Sequence, residues 1–179
     1  HFLYFCKYLL NTYIIMNTKQ KSTISLLFIC LGNICRSPAA HAVFLKMIEM
    51  RKLESKFIVD SAGIGNWHVG QLPDSRMIEH GSKRGYNINH HARQFCINDF
   101  NKFDYIVVMD EDNYNMITNM AKSDSDSIKV IRMADYFTQH SNSSVPDPYY
   151  GESADFELAL DLIEDGCEGL LKSFYPHDS

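Results

Sequence analysis

Cys30, Arg36 and Ser37 lie close together in the stretch CLGNICRSP, and their side chains are of types that can bind an anion or react with it. A cysteine thiolate is a nucleophile, and the planar guanidinium of arginine matches two oxygens of a phosphoryl group. The apolar run that ends at Cys30 has the length of a buried strand, and Pro38 suits the first position of a helix. This order of strand, thiol and helix predicts a nucleophile beside an anion-binding turn.

The turn itself, residues 31–35, is short and contains Gly32, so several backbone N–H groups can point inward. A helix that starts near Ser37 adds unpaired N–H groups and a partial positive charge, which bind anions and favour the thiolate form of Cys30. Phosphoryl transfer to Cys30 is the chemistry that this arrangement predicts. The alternative is that Cys30 is an ordinary buried core residue.

Such a reaction needs an acid to protonate the leaving oxygen, and SSVPDPYYG supplies Asp147 between two prolines. The prolines restrict the backbone on both sides and so predict a rigid loop. Tyr149 and Tyr150 could form the wall of an aromatic pocket. The alternative is an ordinary turn at Pro-Asp.

Predicted strands and helices, which would position these residues, alternate along the chain. Apolar runs predict strands at 23–30, 57–59, 104–109 and 128–131, and periodic apolar residues predict helices at 38–50, 74–84, 110–120 and 155–171. Alternating strands and helices predict an α/β fold, a three-layer sandwich with a four-stranded parallel sheet flanked by helices on both faces. The carboxyl ends of parallel strands bind ligands, and Cys30 ends the first strand.

Composition narrows the function classes. With 179 residues, 45% apolar residues and a net charge of −5, the chain has the composition of a globular domain without general affinity for nucleic acid or anionic membranes. The five cysteines are scattered, which favours a reducing compartment and a cytoplasmic location. Residues 1–15 are apolar but too short and interrupted to span a membrane, so we expect an extension outside a domain at 16–179. A membrane-surface anchor is the alternative for this segment.

The motifs together resemble the low-molecular-weight protein tyrosine phosphatases. CLGNICRS is similar to the phosphate loop of that family and DPYYG to its acid loop, and VDSAGIGNWHVGQLPDSR, HHARQF and FDYIVVMDEDN follow in matching order between them. The resemblance covers residues 24–171. It implies a monomeric enzyme that acts on phosphotyrosyl proteins, with inorganic phosphate as product or inhibitor and without a metal or cofactor.

The resemblance also implies roles for single residues. Cys30 would form a phosphocysteine, Arg36 would clamp the phosphoryl oxygens, and Asp147 would act first as acid and then as base. Ser37 would donate a hydrogen bond to the Cys30 sulfur. The other residues implied in substrate binding are Leu31, Gly32, Asn33, Ile34, Cys35, Trp67, Tyr149 and Tyr150.

Supporting residues are implied around this loop. Asn33 would be held in a strained conformation by Ser61 and His90, and asparagine is among the residues that tolerate positive φ. Asp74 and Arg76 would pair to brace the phosphate loop. His68 and Gln71 occupy positions that vary in the family, so the substrate preference stays open.

Cys35 lies five residues after Cys30, so the two sulfurs could approach the distance of a disulfide. The resemblance implies that Cys35 protects an oxidised Cys30 in this way. The alternative is that Cys35 packs against the sheet. Cys96 and Cys167 are expected to be buried core residues.

Two further polar groups have structural interpretations. His90 and His91 could indicate a metal, but no acidic or thiol partner lies at ligand spacing in the sequence, so we expect structural hydrogen bonds. Asp110 and Asn113 are expected to cap the third helix rather than to touch substrate.

Two rival functions remain to be separated. An arsenate reductase on the same scaffold would need two more cysteines close together downstream, and Cys96 and Cys167 are far apart in the sequence. A non-catalytic phosphate-binding or redox-sensing protein would have no use for the acid at Asp147. The sequence therefore favours the phosphatase.

Overall fold

The sheet is built around its first strand, β1 (Ile24–Cys30), in a computed structural model that describes residues 23–176. All seven residues of β1 are buried. The strand pairs in parallel with β2 (Phe57–Gly63) and β3 (Tyr105–Val108), and β3 pairs with β4 (Val130–Arg132) in the order β2-β1-β3-β4. The predicted four-stranded parallel sheet is confirmed, while the predicted extension at 1–15 lies outside the described residues.

Helices follow the strands in the predicted order. They are α1 (Arg36–Met50), α2 (Ser75–Lys83), α3 (Asp99–Lys102), α4 (Glu111–Met120), α5 (Asp124–Ser127) and α6 (Ser153–Phe174). The short α3 and α5 were not expected. The polar segment around α5 forms a helical turn because the Ser123 side chain accepts a hydrogen bond from the Asp126 N–H and caps it.

The side chains of β1 alternate between two cores, as a strand between two helical layers requires. Leu26 and Phe28 belong to the core that contains residues of α1 and α6. Leu27 and Ile29 belong to a second core with Phe100 on the other side of the sheet. The predicted three-layer α/β sandwich is therefore present.

Loops at the carboxyl ends of the strands are tied together by backbone hydrogen bonds. The Ile64 N–H, just after β2, donates to the Cys30 carbonyl at 3.0 Å, and the Val145 N–H donates to the Met109 carbonyl at 2.8 Å. At Gly63 a Cβ would lie 2.9 Å from the Asn33 nitrogen, so only glycine permits this approach. These contacts gather the segments that carry the predicted site residues at one edge of the sheet.

Within residues 23–176, we find no helix with both the length and the apolar character needed to cross a lipid bilayer.

Candidate active site

The Cys30 sulfur lies at the end of β1 under donors from the turn and from α1. The Asn33 N–H donates to Sγ at 3.3 Å, and the Ser37 hydroxyl lies 3.1 Å from the same sulfur. Helix α1 begins at Arg36, two residues before the predicted start, and its N-cap residue Cys35 makes no side-chain capping hydrogen bond. The helix therefore starts directly beside the thiol, and its first turn faces the loop.

Asn33 holds the turn in its unusual shape. Its φ of 56° lies in the left-handed region, where asparagine is tolerated better than most residues. The side-chain nitrogen donates to Ser37 Oγ at 2.8 Å and Ser61 Oγ at 3.0 Å, and the side-chain oxygen accepts from the Arg93 N–H at 3.0 Å. These three hydrogen bonds involve only groups of the protein and fix the loop before any ligand binds.

The position of His90 corrects one sequence-based expectation. The structure shows the Arg93 N–H, rather than His90, as the donor to the Asn33 side-chain oxygen. His90 instead faces Asp60, with its Nε2 3.6 Å from Asp60 Oδ1. The predicted partner Ser61 does hold Asn33.

Arg36 is buried, with 2% of its side chain exposed, and lies between two acidic groups. Its Nη2 donates to Asp147 Oδ2 at 2.7 Å, and its Nη1 donates to Asp110 Oδ2 and, at 3.1 Å, to the Val145 carbonyl. Burial lowers the pKa of Arg36, but the charges of Cys30 and Asp147 and the contact with Asp110 raise it by a larger amount. The net pKa therefore lies above the usual value for arginine. The guanidinium stays charged, and its buried Nε has no hydrogen-bond partner in the described part of the chain.

Asp110 does more than the expected capping. Its Oδ1 accepts from the Asn113 N–H at 2.7 Å, which confirms the N-cap of α4, while its Oδ2 holds Arg36. Sequence reasoning missed this second contact. The signal was available, because Asp110 directly follows β3 at the edge where parallel sheets bind ligands.

Asp74 and Arg76 pair as expected, with Arg76 Nε and Nη2 donating to the two carboxylate oxygens at 3.0 and 2.8 Å. The Asp74 N–H donates to the Ile34 carbonyl of the phosphate loop at 2.8 Å. Arg76 Nη2 also donates to the Tyr149 carbonyl at 2.9 Å. The pair thus braces the acid loop as well as the phosphate loop.

A cleft of about 320 Å³ opens above the thiol. Tyr149 and Tyr150 meet edge to face with ring centres 4.9 Å apart, and Trp67 and Tyr150 are 65% and 96% exposed. At the same rim, His68 Nδ1 and Gln71 Oε1 form a hydrogen bond of 2.9 Å. The lining residues are Cys30, Leu31, Gly32, Ile34, Cys35, Trp67, His68, Asp147, Tyr149 and Tyr150.

Most of the predicted site residues therefore meet at this cleft or support it from beneath. Asn33, Ser37 and Ser61 are fully buried below the loop, while Asp74 and Arg76 lie at its side. Two expectations outside the cleft have different outcomes. Cys167 is buried as expected, but Cys96 is exposed, because the segment around it runs over the surface before α3.

A different set of side chains could hold a metal. His41, Asp60 and His90 present ligand atoms within 4.8 Å of one another. No acidic residue lies at ligand spacing from His90 in the sequence, but Asp60, 30 residues away along the chain, is adjacent to it in space. This cluster does not line the cleft above Cys30.

Comparison with known proteins agrees with this geometry. The family model described as low molecular weight phosphotyrosine protein phosphatase matches residues 25–177. A low molecular weight phosphotyrosine protein phosphatase of Schizosaccharomyces pombe is 42% identical over 151 residues, which cover 84% of this chain and 96% of that protein.

Solved structures give the same result. A protein tyrosine phosphatase from Entamoeba histolytica superposes with a TM-score of 0.83 at 43% identity, covering 86% of this chain and 98% of that one. A Drosophila structure described as an arginine phosphatase superposes at 0.78 with 32% identity, covering 86% and 99%. Because the family model and these relatives match most of the chain, including the cysteine loop and the sheet, the chain belongs to the low molecular weight phosphotyrosine protein phosphatase family.

Proposed function

We propose that this protein tyrosine phosphatase hydrolyses phosphotyrosyl proteins through a phosphocysteine at Cys30, without help from a metal ion. The observation that carries the proposal is the arrangement of three groups around one cleft. Cys30 and Asp147 both line it, and Arg36 lies beneath them with its Nη2 2.7 Å from Asp147 Oδ2. Nucleophile, clamp and acid are the parts that a two-step displacement requires.

In the first step the phosphoryl oxygens bind the backbone N–H groups of residues 31–36 and the guanidinium of Arg36. The Cys30 thiolate attacks phosphorus, an S–P bond forms, and the bond from phosphorus to the tyrosyl oxygen breaks. Asp147, in its protonated form, transfers its proton to that leaving oxygen. Developing charge on the phosphoryl group stays within reach of the backbone donors of the loop, while Arg36 Nη2 exchanges its contact with Asp147 for a phosphoryl oxygen.

In the second step water attacks the phosphocysteine. Asp147, now ionised, accepts a proton from that water, the new P–O bond forms, and the S–P bond breaks to release phosphate and the Cys30 thiolate. The Ser37 hydroxyl, 3.1 Å from the sulfur, stabilises the departing thiolate by donating a hydrogen bond. The resting enzyme is regenerated with its proton balance unchanged.

The aromatic rim supports an aryl phosphate as substrate. Trp67, Tyr149 and Tyr150 line the cleft, and aromatic side chains favour edge-to-face or offset contacts with a tyrosyl ring. A phosphoarginine side chain lacks that ring. We therefore expect phosphotyrosine peptides to be hydrolysed faster than phosphoarginine peptides.

The test measures hydrolysis of p-nitrophenyl phosphate and a phosphotyrosine peptide in excess chelator, together with mass spectrometry of rapidly quenched enzyme. We expect full activity in chelator, and a mass increase of one phosphoryl group on the peptide that contains Cys30. Cys30→Ser should lose turnover but still bind phosphate, because the loop donors and Arg36 remain. Activity of Cys30→Ser within tenfold of the wild type would refute the covalent route, and loss of activity in chelator would refute metal independence.

Other expectations from the sequence stay predictions. A reducing, cytoplasmic location is compatible with the four free cysteines among residues 23–176. A monomeric state and the lack of a nucleic-acid or membrane partner can be tested by light scattering and by binding assays with nucleic acid and anionic vesicles.

A further inference from the structure

The cluster of His41, Asp60 and His90 lies outside the catalytic cleft, and the reaction described above makes no use of it. The three residues come from three different parts of the chain: α1, β2 and the loop after α2. Two imidazoles and a carboxylate are a donor set that zinc accepts in proteins. We propose that His41, Asp60 and His90 form a binding site for a transition-metal ion of the Zn²⁺ type.

Distances within the cluster are close to those that coordination requires. Zinc binds nitrogen and oxygen at about 2.0–2.2 Å, so tetrahedral ligand atoms lie roughly 3.3–3.5 Å apart. His90 Nε2 and Asp60 Oδ1 are already 3.6 Å apart, just beyond a hydrogen bond. All three ligand atoms lie within 4.8 Å, and the His41 and His90 rings meet edge to face with centres 5.2 Å apart. The remaining separations are at most 4.8 Å, so they exceed the range for zinc by no more than about 1.5 Å.

His90 is oriented as a metal ligand would be. Its Nε2 is buried and has no hydrogen-bond partner within residues 23–176, which is unusual for a buried polar atom. This unpartnered nitrogen lies 3.6 Å from Asp60 Oδ1, beside the carboxylate of the second proposed ligand.

The charges around the cluster also permit a cation. Arg93 is the nearest positive group, and it holds Asp60 Oδ2 at 2.8 Å and Asp99 Oδ2 at 3.0 Å. Two carboxylates thus face one guanidinium. The other oxygen of Asp60, Oδ1, accepts the Ser61 N–H at 2.8 Å and keeps a second lone pair toward His90.

The experiment titrates the Cys30→Ser protein with Zn²⁺ by calorimetry and with Co²⁺ by absorption spectroscopy. Replacing Cys30 removes the reactive thiolate, which would itself bind either metal. We expect one equivalent of metal to bind, with cobalt bands typical of nitrogen and oxygen ligands. Adding His41→Ala or His90→Gln should each weaken binding at least tenfold, while the matched control His91→Gln, at an exposed neighbouring histidine, should leave it unchanged.

Nuclear magnetic resonance of the histidine ring nitrogens gives a second measurement that does not depend on how the variants fold. Zn²⁺ should shift the ring signals of His41 and His90 in the Cys30→Ser protein, and those of His91 should stay in place. Failure to bind metal, unaltered affinity in His41→Ala, or shifts confined to other histidines would overturn the proposal. A sulfur-to-cobalt charge-transfer band would overturn it as well, because it would place the ion at a cysteine.

Discussion

Arg36 and Asp147, 111 residues apart in the chain, meet with Nη2 and Oδ2 2.7 Å from each other. The arginine is buried and rigidly held, whereas 40% of the aspartate side chain is exposed. The ion pair therefore fixes the acid loop from below and points the Asp147 carboxyl group into the cleft. The proposed clamp Arg36 and the proposed acid Asp147 are coupled directly, so a change at one residue should alter the other.

Replacing Asp147 with asparagine should slow phosphocysteine formation most for substrates whose leaving group is a poor one. General acid catalysis is worth roughly 10²–10⁴-fold, and the loss should shrink when the leaving oxygen needs no proton. Single-turnover rates for aryl phosphates of graded leaving-group pKa measure this. Asp112→Asn, on the exposed side of α4, serves as control. An equal loss across all substrates would show that Asp147 is not the acid.

The substitution Asp110→Asn should distinguish the contribution of the N-cap contact to Asn113 from that of the contact with Arg36. Asparagine is as good an N-cap as aspartate, so α4 should keep its start and the protein its melting temperature. The variant loses the negative charge that holds Arg36, so Asp147 should pair more strongly with the guanidinium and compete with the phosphoryl group. We expect kcat/KM to fall roughly tenfold, since misplaced binding groups have effects of this order or more. Unchanged kcat/KM would mean that Asp110 only caps.

Asn33→Ala and Asn33→Gly should distinguish backbone strain from lost hydrogen bonds. Both variants lose the contacts to Ser37, Ser61 and Arg93, but only alanine has a Cβ at a φ of 56°. We expect Ala to lower the free energy of unfolding by about 1–2 kcal/mol more than Gly does, the cost of left-handed backbone for an ordinary residue. Urea denaturation measures the difference. Equal stabilities would show that the conformation carries no strain.

Oxidation should reveal whether Cys35 protects Cys30. Burial raises the pKa of the Cys35 thiol far above its usual range, and the charges of Asp74 and Cys30 raise it further. The Cys35 thiolate attacks the sulfur of a Cys30 sulfenic acid, the S–S bond forms and the S–O bond breaks to release hydroxide, which takes a proton from solvent, so this reaction should become faster as the pH rises. Peroxide inactivation of the wild type should be reversed by dithiothreitol, and that of Cys35→Ser should not.

Mass spectrometry of the oxidised protein checks the same step, with Cys96→Ser as the control for an exposed thiol. We expect a crosslinked peptide joining Cys30 and Cys35 in the wild type and in Cys96→Ser. Equal recovery of activity in the wild type and Cys35→Ser would reject the protective role and would leave the phosphatase activity unaffected.

Asp165 should contribute to stability in a pH-dependent way. Burial raises its pKa, but hydrogen bonds from the Thr138 and Gln139 backbone and from the His140 ring lower it by more, so the net pKa lies below the usual range. Its stabilisation is therefore fully present above the unfolded pKa of about 4 and is lost as the pH falls toward the folded value. Asp165→Asn should lose about 1.5–3 kcal/mol at pH 7, and the difference should narrow near pH 2. A constant difference would contradict the assignment.

Local patterns were enough to identify the phosphate loop. Cys30, Arg36 and Ser37 act within one turn between a strand and a helix, so their spacing along the chain already determines their spacing in space. The strands β1 and β3 were recognisable for a similar reason, because each is an apolar run that is buried over its whole length. The start of α1 lies two residues before the predicted one, because helix ends are defined only to within one or two residues.

Contacts between distant segments were decided only by the tertiary structure. The sheet order β2-β1-β3-β4 brings Asp110 beside Arg36 and Asp60 beside His90, although no spacing rule connects these pairs. The same packing gave Asn33 the Arg93 N–H as partner and left Cys96 on the surface. The local sequence determines where turns and strands form. Which side chains meet across the sheet depends on how all the layers pack against one another.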